Sequence, residues 1–257
     1  MAEIHPTAIV SEGAKLGEGV VVGPYAVIGP HVVLGRSTRI MSHAVVEGHT
    51  RIGEGCIVYP FASIGQRTQD LKYKGATTYV EILEGTTIRE FVTVNSATDE
   101  HGVTRIGRGC LLMAYAHVAH DCRLEDGVIL ANCATLGGHV LIEEAAVIGG
   151  LSGIHQFVRI GRLAMVGGCS KVTQDIPPFM LADGHPAAVR GINVVGLQRK
   201  GFSAESIRRI KEAHRILFRA GLPLGAALER LETTAGESEE VAHICRFVGA
   251  SERGIAR

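Results

Sequence analysis

Aliphatic side chains recur at every sixth position along the first two thirds of the chain. Stepping by six from Ile4 gives Val10, Leu16, Val22, Ile28, Leu34, Ile40, Val46, Ile52, Val58 and Ile64. The same lattice holds Ile82, Ile88 and Val94, then runs unbroken from Ile106 to Val172. Of its 29 slots, 26 carry Ile, Leu or Val, the exceptions being Asp70, Ala76 and Glu100. Four residues after each aliphatic comes a small or β-branched residue, as at Ala8, Ala14, Val20, Ala26, Val32, Thr38 and Ala44. A period of six matches neither an amphipathic helix nor a plain strand. It matches short strands joined by corners, with two inward side chains per repeat. Three repeats close an 18-residue coil, and coils stack at the spacing of paired strands, about 4.8 Å. The pattern predicts an all-β, hexapeptide-repeat parallel β-helix of about nine turns.

Two polar stretches interrupt the lattice, residues 66–79 (QRTQDLKYKGATTY) and 95–104 (NSATDEHGVT). Both are expected to leave the coil as loops, and loops on a rigid scaffold are where binding groups gather. After Val172 the string QDIPP ends the regular coils. A helix is predicted from Ser203, whose hydroxyl suits an N-cap, with Ile207, Ile210 and Leu217 on one face. Gly221 and Pro223 break it, and two shorter helices should follow to about residue 248. The expected organisation is a β-helix over residues 1–190 and a C-terminal helical domain over 191–257.

With 26 basic and 26 acidic residues, the net charge gives no reason to expect a nucleic-acid partner. No apolar run approaches the roughly 18 residues of a membrane span, and MAEIHPTAIV has no secretory pattern. Six cysteines form no CxxC pair. Three of them, Cys56, Cys110 and Cys122, occupy the small inward slot, where a thiol acts as a small hydrophobe. Free thiols in a reducing cytoplasm are the expectation.

Candidate chemistry concentrates in HVAHDC, residues 117–122. With 18 residues per coil, His120 stacks with Gly138 and Gln156, Asp121 with His139 and Phe157, and Ala119 with Gly137 and His155. His120 and Asp121 fall at a corner between inward slots and can project outward without emptying the core. A single polar corner residue is ordinarily just solvated. Three histidines, an aspartate and a glutamine on one edge beside paired glycines better suit a general base with an oxyanion site. A zinc site is the competing reading, since γ-class carbonic anhydrases hold zinc through histidines on a β-helix.

The strings QDLKY (69–73), LLMAYAHVAHDC (111–122), GGHV (137–140), HQF (155–157), GGCSKVTQDIPP (167–178), GINVVGL (191–197) and QRKGFS (198–203) extend the comparison. In that order and spacing the whole chain resembles the UDP-N-acetylglucosamine acyltransferase family, which acts first in lipid A synthesis. The resemblance implies a left-handed β-helix, a homotrimer with active sites between subunits, and no cofactor. The acyl donor would be carried on the phosphopantetheine of acyl carrier protein. His120 would be the general base toward the sugar 3-hydroxyl, Asp121 its orienting partner and Gly138 the oxyanion donor. His117, His139, His155 and Gln156 would hold sugar and acyl groups, and Asp70 and Lys72 would reach the acceptor from a neighbouring subunit. Asn193, Arg199 and Lys200 would contact the nucleotide, while Gly168 and His185 would border the acyl tail.

The chain departs from the family pattern in places. NSAT (95–98) replaces a common HRGT, removing a histidine and an arginine near the acceptor, so a 3-amino sugar giving an amide is the alternative substrate. Val195 stands where an acidic residue is frequent, and Gly184-His185-Pro186 replaces Gly-Asn-His. Residues 199–219 carry seven basic and two acidic side chains. That is either a solvated helix face or a dock for an acidic carrier protein.

Overall fold

A computed structural model describes residues 1–234 and 238–257. Most strands are two residues long, and they stack into three sheets of 11, 9 and 8 strands. Register advances by one coil at each step, as in Ile129↔Val147↔Met165 and His117↔Thr135↔Gly153. The second residue of each strand points inward, which is the physical meaning of the six-residue lattice. Leu112, Leu124, Leu130, Ile142, Ile148 and Ile160 are accordingly fully buried. Removing one such side chain, as in Leu130→Ala, typically costs about 2–5 kcal/mol because a stacked core cannot collapse into the gap.

The lattice survives both interruptions because each insertion is a multiple of six. His49 pairs with Tyr79, a step of 30 and hence twelve residues beyond one coil, and Tyr79 pairs with Val103, a step of 24 and hence six beyond. Each loop is shorter than the polar pattern implied. Strands reach Gln66, start again at Tyr79, reach Asn95 and start again at Val103, so 67–78 and 96–102 leave the coil. Backbone pairing continues past the last inward aliphatic, and hydropathy does not register it.

Corners are made by residues in the left-handed region, an uncommon conformation for any residue but glycine. One column of such corners holds Tyr25, His43, Phe61, Phe91 and Tyr115. Their rings stack at 4.7–5.1 Å, and the tyrosines and phenylalanines are exposed, as is Leu151 further along. Another column holds Asp121, His139 and Phe157, with φ of 59°, 59° and 64°.

Beyond Val172 the chain forms an antiparallel hairpin, Met180–Gly184 with Ala187–Ile192, joined to the coil through Met165↔Leu181. Sequence patterning gave no sign of this hairpin or of the short helix α1, Val194–Arg199. Helix α2, Ala204–Arg219, starts as expected, with the Ser206 N–H donating to the Ser203 hydroxyl. It buries Ile210 and Leu217, and α3 (Leu224–Thr234) and α4 (Glu239–Gly249) pack around it. The buried Asp175 carboxylate accepts from the Arg159 N–H and the Ser251 hydroxyl, both at 2.8 Å. Backbone bonds between Asp175 and the 254–256 segment complete the staple of the chain's end onto the last coil. No described helix is long and apolar enough to cross a membrane.

Candidate active site

His120 and Asp121 sit at one corner, under the first loop and beside the second. Neighbours on a strand point apart, but the left-handed turn at Asp121 brings these two side chains together. His120 Nδ1 lies 2.8 Å from Asp121 Oδ2. A carboxylate only accepts, so Nδ1 is the donor of this bond, and in the neutral ring Nε2 is the nitrogen with the lone pair. Both side chains are largely covered, 13% and 14% exposed, so water screens the pair weakly.

Asp121 is itself held from three directions. Its N–H donates to Thr104 Oγ1 at 2.8 Å, and its Oδ2 accepts the Thr98 N–H at 3.1 Å. His139 Nε2 stands 3.8 Å from the same oxygen, with its ring stacked on Phe157 at 4.6 Å and edge-on to His120 at 5.1 Å. Thr98 and Thr104 were missed by motif reading. Thr104 could have been found, because it is a polar residue in the small inward slot.

Gly138 lies directly against the His120 ring. A Cβ there would fall 2.4 Å from Cε1 and Nε2, so any other residue displaces the imidazole. Its carbonyl accepts from the Phe157 N–H, but among the described residues its own N–H has no acceptor. An unengaged backbone donor beside a base with a free lone pair is what a developing oxyanion requires.

His120 and Gly138 line one cleft of about 980 Å³, while Asp121 and His139 sit behind them outside its lining. Asp70, Lys72, His117, His120, Gly138, His155 and Gln156 all border it, together with Asn95 and Lys171. Asp70 Oδ2 is 3.9 Å from His120 Nε2, and its Oδ1 accepts the Lys72 N–H at 2.9 Å. Within the chain the 67–78 loop thus folds over its own histidine. His117 Nδ1 is 2.7 Å from Thr93 Oγ1. Burial, reinforced by the nearby His120, pushes the His117 pKa down and keeps that ring neutral.

Other expected residues lie elsewhere on the chain. Asn193 caps α1, accepting the Gly196 N–H and donating to the Leu163 carbonyl. Arg199 and Lys200 are exposed at the end of α1, and His185 is exposed in the hairpin turn. Gly168 stacks on Gly150 one coil away, where a Cβ would lie 3.3 Å from the Gly150 carbonyl oxygen, and it does not line the cleft. Asn95 is buried and donates to the Arg67 carbonyl at 3.3 Å, shaping the first loop.

Among the described residues His120, Asp121 and His139 are the one group that could offer a metal three donors within 4.8 Å. The short pair argues for a hydrogen bond instead. Two ligands of a tetrahedral zinc at the usual bond lengths stand about 3.3 Å apart, whereas Nδ1 and Oδ2 are 2.8 Å apart. Burial raises the inward thiols of Cys110 and Cys122 to about 11 and about 12, so they are packing groups rather than ligands.

A hexapeptide solenoid with a histidine–carboxylate pair and a free backbone N–H over one cleft defines an acyl-transferring enzyme of the β-helix class. Residues 31–66 and 104–138 match the bacterial transferase hexapeptide family (six repeats), and residues 175–256 match UDP N-acetylglucosamine O-acyltransferase, domain 2. The chain is 52% identical over 232 residues to an acyl-(acyl-carrier-protein)–UDP-N-acetylglucosamine O-acyltransferase of Synechocystis, covering 90% of this chain and 84% of that one. It is 48% identical to one from Thermodesulfovibrio yellowstonii over the whole of both chains. The crystal structure of the UDP-N-acetylglucosamine acyltransferase of Bacteroides fragilis superposes with a TM-score of 0.96 at 40% identity, covering 98% of this chain and 99% of that one. The chain belongs to the UDP-N-acetylglucosamine O-acyltransferase family, and its fold is a left-handed hexapeptide β-helix with a C-terminal helical domain.

Proposed function

We propose that this chain transfers a 3-hydroxyacyl group from acyl carrier protein to the 3-hydroxyl of UDP-N-acetylglucosamine, the first step of lipid A biosynthesis. The observation that carries the reading is the His120–Asp121 pair packed against Gly138 in the cleft. His120 Nε2 takes the proton of the sugar hydroxyl as its oxygen attacks the thioester carbon. Asp121 stabilises the imidazolium that forms, and the Gly138 N–H donates to the tetrahedral oxyanion. Collapse breaks the carbon–sulfur bond, and the imidazolium returns its proton to the departing thiolate. The acyl group arrives already activated as a thioester on phosphopantetheine, so the step needs no cofactor and no metal.

Neutral His117, together with His139, His155 and Gln156, binds the sugar and the acyl hydroxyl in this reading, with Asp70 and Lys72 closing over the acceptor. Gly168 and His185 border the acyl tail. Asn193, Arg199 and Lys200 face a nucleotide held by the adjoining copy of a homotrimer. The exposed aromatic corner column supports such an assembly, since contiguous apolar edges of this size mark contact surfaces. On 199–219 Arg208, Arg209 and Arg215 are paired with Glu205 and Glu212. With Arg199 and Lys200 facing the nucleotide, that leaves Lys211 and Arg219 for an acidic carrier protein. Residues 1–190 form the catalytic solenoid and 191–257 the docking domain of an enzyme working in the cytoplasm.

Product analysis tests the chemistry. Incubation with 3-hydroxyacyl carrier protein and either UDP-N-acetylglucosamine or its 3-amino analogue should give an alkali-labile ester on the hydroxyl sugar. An alkali-stable amide formed in preference would reassign the acceptor. Transfer to neither sugar would refute the reading.

A further inference from the structure

The cleft ends in two cations that the chemistry described above does not use. Lys171 is exposed on strand Lys171–Val172 and lines the cleft. Arg253 belongs to the tail that the buried Asp175 staples to the last coil. Its Nη2 is 3.3 Å from His155 Nδ1 and its Nε donates to the Thr173 carbonyl at 3.4 Å, and both of those residues line the cleft. Among the described residues neither Lys171 nor Arg253 has a carboxylate partner, whereas Arg105, Arg108 and Arg162 on the coil each do. A fixed guanidinium and a lysine at one end of a cleft, both free of acids, make a site for a phosphate group.

The distance selects which phosphate. His117, Thr135, Gly153 and Lys171 are successive rungs of one sheet, so Lys171 stands three coils, about 14 Å, above the rung of His120. The Arg253 guanidinium, between His155 and Thr173, stands two to three coils, about 10–14 Å, above it. With an extended chain gaining about 1.2 Å per bond, the five bonds from the sugar 3-oxygen to the nearer phosphorus of the diphosphate reach about 6 Å. The farther phosphorus, two bonds on, reaches about 8 Å by the same measure. The thirteen bonds from the thioester sulfur to the phosphorus of a phosphopantetheine arm reach about 16 Å. The diphosphate falls short and the arm does not.

We propose that Lys171 and Arg253 bind the phosphodiester of the donor's phosphopantetheine arm, holding the thioester at the level of Gly138. This rests on the acyl-transfer reading. It places the arm along the His155–Thr173 edge of the sheet face and leaves the Gly150–Gly168 edge to the acyl chain. The chain's C-terminal tail thereby becomes part of the donor site.

The test compares two small donors, 3-hydroxyacyl-phosphopantetheine and the same thioester of pantetheine lacking phosphate, with wild type, Lys171→Gln, Arg253→Gln and Arg253→Lys. Wild type should favour the phosphorylated donor about 10-fold or more in kcat/KM, the worth of one charge-assisted bond. Each glutamine variant should shrink that preference, Arg253→Lys should restore part of it, and KM for UDP-N-acetylglucosamine should stay within twofold. Lys171 is exposed, so its variant folds irrespective of any effect on the tail. An unchanged donor preference in both glutamine variants overturns the proposal. So does a rise confined to KM for the nucleotide sugar, which would give the cations to its diphosphate. A wild-type chain inert toward both small donors and toward acyl carrier protein overturns the acyl-transfer reading, and this subsite with it.

Discussion

Asp121→Asn removes one charge from the site and leaves the shape in place. Asp121 Oδ2 accepts both from His120 Nδ1 at 2.8 Å and from the Thr98 N–H at 3.1 Å. An asparagine oxygen in that position can accept both. What disappears is the attraction between the carboxylate and the imidazolium that exists only while His120 holds the sugar proton. Charges about 4 Å apart at an effective dielectric of about 20 attract by about 4 kcal/mol. Both side chains are only 13–14% exposed, so most of that survives solvent screening. Allowing for the dipole an amide retains, the loss should be about 2–4 kcal/mol, or roughly 30- to 1,000-fold in kcat. KM for UDP-N-acetylglucosamine should stay within about threefold, because the bound ground state contains no imidazolium. The assay is steady-state transfer from acyl carrier protein, with a thermal melt to show that the fold is unchanged. A kcat within fivefold of wild type, in a protein that melts normally, would refute the electrostatic role given to Asp121.

Gly138→Ala should reduce kcat by about 100-fold or more, since its Cβ would lie 2.4 Å from the His120 ring while the backbone N–H stays in place; activity near wild type would mean the ring tolerates displacement. The depressed His117 pKa means that the unfolded chain binds a proton before the folded one does. Its contribution to stability is therefore present above the ordinary value of 6.5 and fades as pH falls below it. Thermal melts of wild type and His117→Gln between pH 5 and 8 should converge toward the acid end, and parallel curves would contradict that. Cys122, with its thiol pushed up to about 12 by burial, should resist a thiol-alkylating reagent at pH 8.5 until denaturant is added. Labelling in the native state, read by peptide mass mapping, would show that the coil opens locally.

The solenoid was legible because its period belongs to the packing itself. Each buried slot must repeat once per strand, and the insertions of twelve and six residues keep that phase. The same register brought His120, Asp121, Gly138 and His139 together from residues spread over twenty positions. What pattern reading could not supply is how irregular chain returns to the coil. Asp70 reaches within 3.9 Å of its own His120 because the first loop folds back, and no periodicity encodes that path. Asn193 caps a helix of six residues, too short to show a hydrophobic stripe in the sequence. Arg253 meets His155 across 98 positions through a tail fixed by a single buried aspartate. Contacts of that kind depend on three-dimensional closure and leave no local signature.

The most direct measurement is 3-hydroxyacyl transfer from acyl carrier protein to UDP-N-acetylglucosamine by wild type and His120→Ala side by side. The structure predicts an ester product from wild type and a loss in kcat of about 10³-fold or more in the variant, the upper part of the range for a positioned general base. A His120→Ala enzyme that keeps a tenth or more of the wild-type rate would contradict the assignment of His120 as the base.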